Sequence, residues 1–214
     1  MNLHADHSLR IVVDATDLHA GQTGERALEQ RDVPSESNIT LRSLKAGESL
    51  TYDGAKLLEV LVVRGQLNLN GEALGPASYV RLAPGAALAF TSTEASLVYL
   101  NERTATEPEK DSYALHGDQL DWRQGMVPGL KVTSLHQGLT KHTALVRWAP
   151  DTRFNPHTHV GGEEILVMEG VFRDEHGSYP AGTWIRSPHL SNHRPFTGPE
   201  GATILVKVGH LDVA

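Results

Sequence analysis

Short apolar or alternating segments recur along the whole chain and are separated by glycine, proline, asparagine and aspartate. Examples are KLLEVLVVRGQL, ASLVYL, HTALVRWAP and ATILVKVG. Alternation with a period of two, and short apolar runs bounded by turn residues, are typical of β-strands. Helical periodicity is weak throughout. The pattern therefore predicts an all-β protein.

A polar segment near the middle of the chain interrupts this pattern. The segment is NERTATEPEKDSYALHG, residues 101–117, and it shows no strand pattern. Charged and turn-forming residues of this kind often connect domains. We therefore predict two domains, residues 1–105 and residues 106–214.

The two predicted domains resemble each other in sequence. A shift of 105 positions superimposes LEVLVVRGQL on EEILVMEGVF, because Gly170 then falls on Gly65 (170 − 65 = 105). The same shift brings Arg186 onto Arg81. One ungapped offset that serves both segments indicates an internal repeat, so both domains should have the same fold.

Composition excludes several classes of function. The 214 residues include 19 basic and 26 acidic side chains, with a formal net charge of -7, so no basic surface for nucleic acid or anionic lipid is indicated. The chain has no cysteine, which excludes disulfides, a thiol nucleophile and cysteine-ligated metals. The start of the chain lacks a signal-peptide pattern, and no apolar stretch is long enough to span a bilayer. We expect a soluble, cytoplasmic protein.

The segment FNPHTHVGGEEILVMEG, residues 154–170, carries the clearest chemistry. Alternate side chains of a strand point to the same face, so His157 and His159 present two imidazoles to one side. The pair Gly161-Gly162 permits a sharp turn, after which Glu163 begins the next apolar strand. Imidazole nitrogens and a carboxylate are ligands for divalent metals, so the segment predicts a metal site.

A fourth ligand should come from a later strand of the same domain. The segment DEHGSYPAGTWIRSPHLSNHRPF offers His176, His189 and His193. His176 lies in a polar turn before a glycine, where a solvated role is expected. The residues themselves leave the choice of the fourth ligand open.

These motifs resemble the cupin superfamily, whose first motif is HxH, three or four residues, Glu, six residues and Gly. Residues 157–170 fit this motif with Glu163 and Gly170, and YPAG at residues 179–182 resembles the Pro-x-Gly of the second motif. The usual second-motif histidine is replaced by Ile185. This departure, with GGEEILVMEG, YPAGT and a later Ser-x-His, resembles the cupin domain at the C-terminus of the anti-sigma factor ChrR. The resemblance covers roughly residues 112–209 and is weaker over residues 10–100.

The resemblance implies two tandem jelly-roll β-barrels, a homodimer, and a single divalent metal held by three histidines and one glutamate. It favours zinc, with iron, manganese or nickel as alternatives. It also makes His193 the fourth ligand. The implied metal ligands are His157, His159, Glu163 and His193.

The first repeat lacks every implied ligand. Under the shift of 105, the four ligand positions are occupied there by Tyr52, Gly54, Leu58 and Leu88, so we expect residues 1–105 to form a degenerate barrel without metal. Glu164, by contrast, corresponds to Glu59. Since this glutamate persists without a metal site, we assign Glu163 as the ligand. Glu164 should have a structural role, through a hydrogen bond to backbone or to an arginine.

Two hypotheses about function remain open at this point. One is a binding or regulatory protein whose metal pocket binds a small molecule or responds to an oxidant. The other is a non-haem metal-dependent dioxygenase that acts on a small carbonyl compound, so whether the protein is an enzyme stays open. Residues 1–40 contain no cysteine and no convincing helix pair, so binding of a sigma factor is not supported.

Overall fold

A computed structural model of the protein describes residues 4, 6–30, 37–85, 87–105 and 111–211. Within these residues the chain is almost entirely β-structure, which confirms the predicted all-β class. The helical elements described are one short helix, α1 (Thr16–His19), and one 3-10 turn, Gly117–Gln119.

Twenty strands follow one another along the chain. The first eleven are β1 (Ile11–Asp14), β2 (Glu25–Glu29), β3 (Asn38–Leu44), β4 (Ser49–Tyr52), β5 (Leu57–Arg64), β6 (Leu67–Leu69), β7 (Glu72–Leu74), β8 (Tyr79–Leu82), β9 (Leu88–Ser92), β10 (Ser96–Arg103) and β11 (Tyr113–Leu115). The remaining strands are β12 (Arg123–Gln124), β13 (Leu130–Gln137), β14 (His142–Trp148), β15 (His157–His159), β16 (Glu163–Asp174), β17 (Gly177–Pro180), β18 (Thr183–Ser187), β19 (Ser191–His193) and β20 (Phe196–Val208).

The predicted linker contains more structure than its composition suggested. Residues 101–103 complete β10, and residues 113–115 form β11, which pairs with β8. The expectation that residues 101–117 hold no strand was therefore wrong at both ends. Residues 106–110 lie outside the described residues. Both strand pieces gain a ladder partner that local sequence does not reveal.

The first unit contains a six-stranded sheet, ordered β11-β8-β5-β10-β3-β2, and a four-stranded sheet, ordered β4-β9-β6-β7. Apolar side chains from both sheets form one cluster, so the core lies between the sheets. Alternation puts one face of each strand into this core and explains the period-two sequence pattern. Leu67 and Phe90 are completely buried there.

The second unit is built on one large antiparallel sheet, ordered β1-β18-β16-β20-β14-β13-β12, with β17 paired to β16 and a separate pair β15-β19. The long strand β16 pairs first with β18 and then with β17, and its register shifts near Gly170, where φ is 70°. Such irregularities bend a strand and let a sheet curl over its own core. That core includes Trp148, Phe172 and Ile204.

The contacts draw the units differently from the predicted division at residue 105. The first unit comprises Leu18–Leu120 with His4, and the second comprises Asp6–Asp17 with the residues from Asp121 onward. The physical reason is that β1 pairs antiparallel with β18, with Val13 opposite Trp184. This long-range pairing is invisible to a sequence window.

The strand registers repeat at the offset predicted from sequence. Glu59 lies opposite Arg81 on β5 and β8, and Glu164 lies opposite Arg186 on β16 and β18, each number differing by 105. The glycine shared by the repeats has the same task twice. Gly65 and Gly170 both have positive φ, and a Cβ at either would collide with the backbone of a neighbouring strand. The structure therefore supports the predicted repeat.

Candidate metal centre

Two short strands assemble the histidines. His157 and His159 occupy alternate positions of β15, so they share a face, and β15 pairs antiparallel with β19 so that His157 lies opposite His193. The predicted fourth histidine therefore comes from the neighbouring strand in this pair.

A glycine turn brings the carboxylate to the histidines. Gly161 and Gly162 have φ of 76° and 70°, a region that L side chains rarely adopt. A Cβ on Gly161 would also meet the backbone of Gly209, and the Gly162 amide N–H donates to the His159 carbonyl at 3.2 Å. The turn delivers Glu163 as the first residue of β16.

Four polar side chains converge at this point. The His193 Nε2 atom lies 3.1 Å from His159 Nε2 and 3.3 Å from His157 Nε2. The three histidines can each offer a ligand atom within 4.8 Å of the others. Glu163 adds Oε1 at 3.4 Å from His159 Nε2 and Oε2 at 3.6 Å from His193 Nε2. The structure thus brings together all four sequence-predicted residues, while their role as ligands stays a prediction.

The donor set fits a cation. His157 Nδ1 lies 2.9 Å from the Asn155 carbonyl and must carry the proton there, so His157 Nε2 presents a lone pair to the other imidazoles. Lone pairs that face each other at this distance repel unless a proton or a metal ion lies between them. Glu163 Oε2 is buried without a hydrogen-bond partner, which is costly unless a cation compensates it. These residues would hold a divalent metal with positions left for water or substrate.

Burial favours the uncharged form of the site in the absence of metal. Burial, with His193 and His157 nearby, lowers the pKa of His159 to about 3. Burial also lowers the pKa of His157. Burial raises the pKa of Glu163 to about 7, and the nearby Asp174 carboxylate adds to that rise. The site therefore consists of neutral imidazoles and a carboxyl group that a metal ion would convert to the carboxylate.

His193 differs from the other two histidines because it faces further carboxylates. Burial alone would lower its pKa, but Asp174 and Glu163 together raise it. Burial likewise acts to raise the pKa of Asp174, but hydrogen bonds and the Arg10 charge outweigh it and hold that pKa at about 2. Asp174 Oδ2 lies 3.9 Å from His193 Nδ1, on the side of the ring away from the cluster.

The other candidate histidines have different partners. His189 Nδ1 accepts a hydrogen bond from the Gly161 amide at 2.8 Å, so this side chain supports the turn. His176 contributes a backbone N–H to Asp174 and is not a member of the three-histidine group. The alternative fourth ligands considered from sequence therefore lie outside the group.

Glu164 points to a different partner from Glu163. Its Oε1 lies 2.6 Å from His210 Nε2 in a buried pair, and His210 together with nearby Lys207 lowers the pKa of Glu164 despite its burial. Sequence analysis expected a backbone or arginine partner and gave His210 no task. The structural role assigned to Glu164 agrees with the contact, but its partner was missed.

The first unit fills the corresponding place with apolar and phenolic side chains. Tyr52 is 3% exposed and belongs to the apolar core, and its hydroxyl donates to the carbonyls of Lys56 and Ala83. Leu88 packs against the same core. Among the described residues, the three-histidine group is found in the second unit alone.

Aromatic rings line one side of the candidate metal centre, a feature that the sequence had left unassigned. Phe154 meets His157 edge-on at 4.7 Å between centroids, and Trp148 meets Phe154 edge-on at 6.3 Å. Phe172 lies 6.4 Å from the His193 ring. An apolar wall lowers the local dielectric and strengthens interactions between a cation and its ligands.

No helix among the described residues is long and apolar enough to cross a membrane.

Comparison with known proteins identifies the second half of the chain. The family model of the ChrR cupin-like domain matches residues 110–212. A search of curated protein sequences gave no significant match.

Solved structures resemble nearly the whole chain. The protein Ylba from E. coli has a TM-score of 0.71 at 16% identity, covering 98% of this chain and 94% of its own. A cupin 2 conserved barrel domain protein from Leptotrichia buccalis has a TM-score of 0.63 at 11% identity, covering 93% and 96%. The salicylate 1,2-dioxygenase from Pseudaminobacter salicylatoxidans has a TM-score of 0.67 at 10% identity, covering 95% and 85%.

At these identities the structural likeness concerns the fold, and it confirms the predicted jelly-roll architecture. The match over residues 110–212, together with the HxH motif and the glutamate that follow from this sequence, concerns the family. The second half of this chain belongs to the ChrR cupin-like domains of the cupin superfamily.

Proposed function

We propose that the second unit binds one divalent metal ion, zinc, through His157, His159, Glu163 and His193. The observation that carries this proposal is the convergence of three imidazole Nε2 atoms beside a buried carboxylate oxygen that has no other partner. Three nitrogen ligands and one oxygen ligand suit zinc, and the family resemblance favours it over iron, manganese and nickel.

The proposed biological role is that of a binding or regulatory protein that responds to a small molecule or an oxidant at this metal. When bound, zinc would supply a Lewis acid and an acidified water at any position left open. The protein side chains would orient the site: His157 is fixed through Asn155, and Phe154 excludes water from one side. The family resemblance also supports a homodimer, which native mass spectrometry would test.

A dioxygenase is the alternative function. Its support is the fold shared with salicylate 1,2-dioxygenase and an aromatic wall beside a three-histidine group. Such an enzyme would require a redox metal instead of zinc. The identity of the bound metal therefore discriminates between the two proposals.

Elemental analysis of protein purified from a metal-balanced host tests both proposals. We expect about one zinc per chain, and its loss in the double variant His157→Ala/His159→Ala. The matched control is His176→Ala, which removes a histidine of the same unit outside the group and should retain the metal. Iron together with oxygen consumption on small carbonyl compounds would favour the dioxygenase. Full metal content in the double variant would contradict the site.

A further inference from the structure

A buried carboxylate lies directly behind one of the proposed ligands. Asp174 is the last residue of β16, its side chain is 3% exposed, and its Oδ2 lies 3.9 Å from His193 Nδ1. At this distance the contact is electrostatic. Because a carboxylate favours a proton on the ring nitrogen that faces it, His193 should carry its proton on Nδ1 and present the Nε2 lone pair to the other histidines.

The two oxygens of Asp174 have separate tasks. Oδ1 accepts hydrogen bonds from the backbone N–H groups of His176 at 2.8 Å and Gly177 at 3.1 Å, and from the Tyr179 hydroxyl at 2.9 Å. These bonds fix the turn between β16 and β17 and saturate Oδ1. Oδ2 is the oxygen left to face His193, and its described hydrogen-bond donor is Arg10 at 3.0 Å.

Arg10 comes from the segment just before β1, far from Asp174 in sequence. Its Nη2 also donates to the Tyr179 hydroxyl at 2.8 Å, and its guanidinium lies 5.2 Å from the centroid of the Tyr179 ring. The antiparallel pairing of β1 with β18 anchors this segment in the second unit. Arg10 therefore keeps Asp174 in place from across the sheet.

We propose that Asp174, held by Arg10, is a positioning residue that fixes the His193 tautomer and thereby raises the metal affinity of the site. The inference rests on the proposed metal-binding function. Carboxylates that orient a ligating imidazole typically change metal affinity 10–100-fold when they are replaced. The N-terminal strand segment would then contribute to the affinity of a site whose ligands all lie beyond residue 156.

Asp174→Asn separates the orienting role from the turn. Asparagine keeps the Oδ1 acceptor for His176 and Gly177 but replaces Oδ2 by an NH₂ group, which cannot accept a proton from His193 or from Arg10. We expect zinc affinity, measured by competition with a chelator, to fall about 10–100-fold. Nitrogen NMR of the metal-free variant at pH 8 should show His193 losing the Nδ1–H tautomer that the wild type has.

A double-mutant cycle tests whether Arg10 acts through Asp174. Arg10→Gln should reduce zinc affinity, and the double variant should be no weaker than Asp174→Asn alone, because both changes remove one interaction. The exposed pair Arg123–Asp121 supplies matched controls: Arg123→Gln and Asp121→Asn should leave zinc affinity unchanged.

The outcomes distinguish this inference from the proposed function. A wild-type protein that binds no metal overturns the proposed function and the inference with it. A wild type that binds zinc, with Asp174→Asn equal to it in affinity and tautomer, overturns the inference alone. If Asp174→Asn does not fold, Arg10→Gln decides, since it leaves the Oδ1 hydrogen bonds intact; unchanged affinity there overturns the coupling to the N-terminal segment.

Discussion

At the scale of single residues, two adjacent glutamates of the same strand have opposite tasks. Glu163 lies among the histidines with one oxygen unpartnered, whereas Glu164 is bound to His210. Alternation in a strand accounts for this, because neighbouring side chains point to opposite faces of the sheet. The pair therefore offers an internal comparison between a ligand and a structural carboxylate.

We expect Glu163→Gln and Glu164→Gln to behave differently. Glu163→Gln should lower zinc affinity by on the order of 100-fold or more, since a ligand is lost, while the metal-free protein stays at least as stable as the wild type. Glu164→Gln should retain zinc but lower the free energy of unfolding by about 1–3 kcal/mol through the weakened bond to His210. Metal analysis and denaturant unfolding measure the two effects. Loss of zinc in Glu164→Gln alone would reverse the assignment.

The pKa of Glu163 predicts how zinc binding depends on pH. Its carboxyl titrates at about 7 in the folded, metal-free protein, against 4.5 when unperturbed, so a proton competes with zinc below pH 7. Apparent zinc affinity should fall about tenfold per pH unit below 7 for this proton. The sign for metal-free stability is opposite: the contribution of Glu163 is present below pH 4.5 and is lost as pH rises through 7.

Zinc titrations at pH 6, 7 and 8, with proton release followed in weak buffer, would measure this dependence. Glu163→Gln removes the titrating group and should flatten the part of the pH profile that it causes. A wild-type affinity that does not change between pH 6 and pH 8 would contradict the raised pKa.

At the scale of elements, the site depends on how β15 is joined to β16. The glycine turn between them requires positive φ at two consecutive residues and a close approach to the chain near Gly209. The neighbouring atoms belong to backbone, which cannot move aside as a flexible side chain does. The position of Glu163 relative to the histidines is therefore set by this turn.

Gly161→Ala should disturb the site through the turn. The added Cβ would meet the Gly209 backbone and strain a φ of 76°, so we expect a loss of about 1–3 kcal/mol in unfolding free energy and weaker zinc binding. Gly47→Ala is the matched control, because its φ is 80° but a Cβ there meets nothing within 4 Å. Denaturant unfolding of both variants separates backbone strain from crowding, and equal losses would argue against the crowding.

At the scale of the whole molecule, two units of related fold differ in what fills the same place. The second has polar ligands there, and the first has Tyr52 and Leu88 within its apolar core. A metal would therefore stabilise the second unit, because a ligand that binds the folded state adds a free energy that grows with its concentration relative to Kd.

Removal of zinc should destabilise the protein through its second unit. With zinc at about 1,000 times Kd, the expected stabilisation is about 4 kcal/mol, which calorimetry would detect as a higher unfolding temperature. Chelation should reverse the shift, and the double variant His157→Ala/His159→Ala should show none. A zinc-dependent shift in that variant would show that the metal binds elsewhere.

The sequence by itself determined the all-β class, the repeat at 105 residues and the four side chains of the candidate site. These features depend on local rules: alternation along strands, turns at glycine pairs, and a motif whose ligands mostly lie within seven residues. Even His193, distant in sequence, was reached through a family motif.

Only the tertiary structure decided which distant groups surround that site. The pairing of β1 with β18 brings Arg10 to Asp174, places residues 6–17 in the second unit and leaves Asp174 behind His193. His210 reaches Glu164 in the same way, through strand pairing. Such contacts join residues far apart in the chain, and their energies depend on burial and geometry. No local pattern carries that information, because it arises when the strands pair.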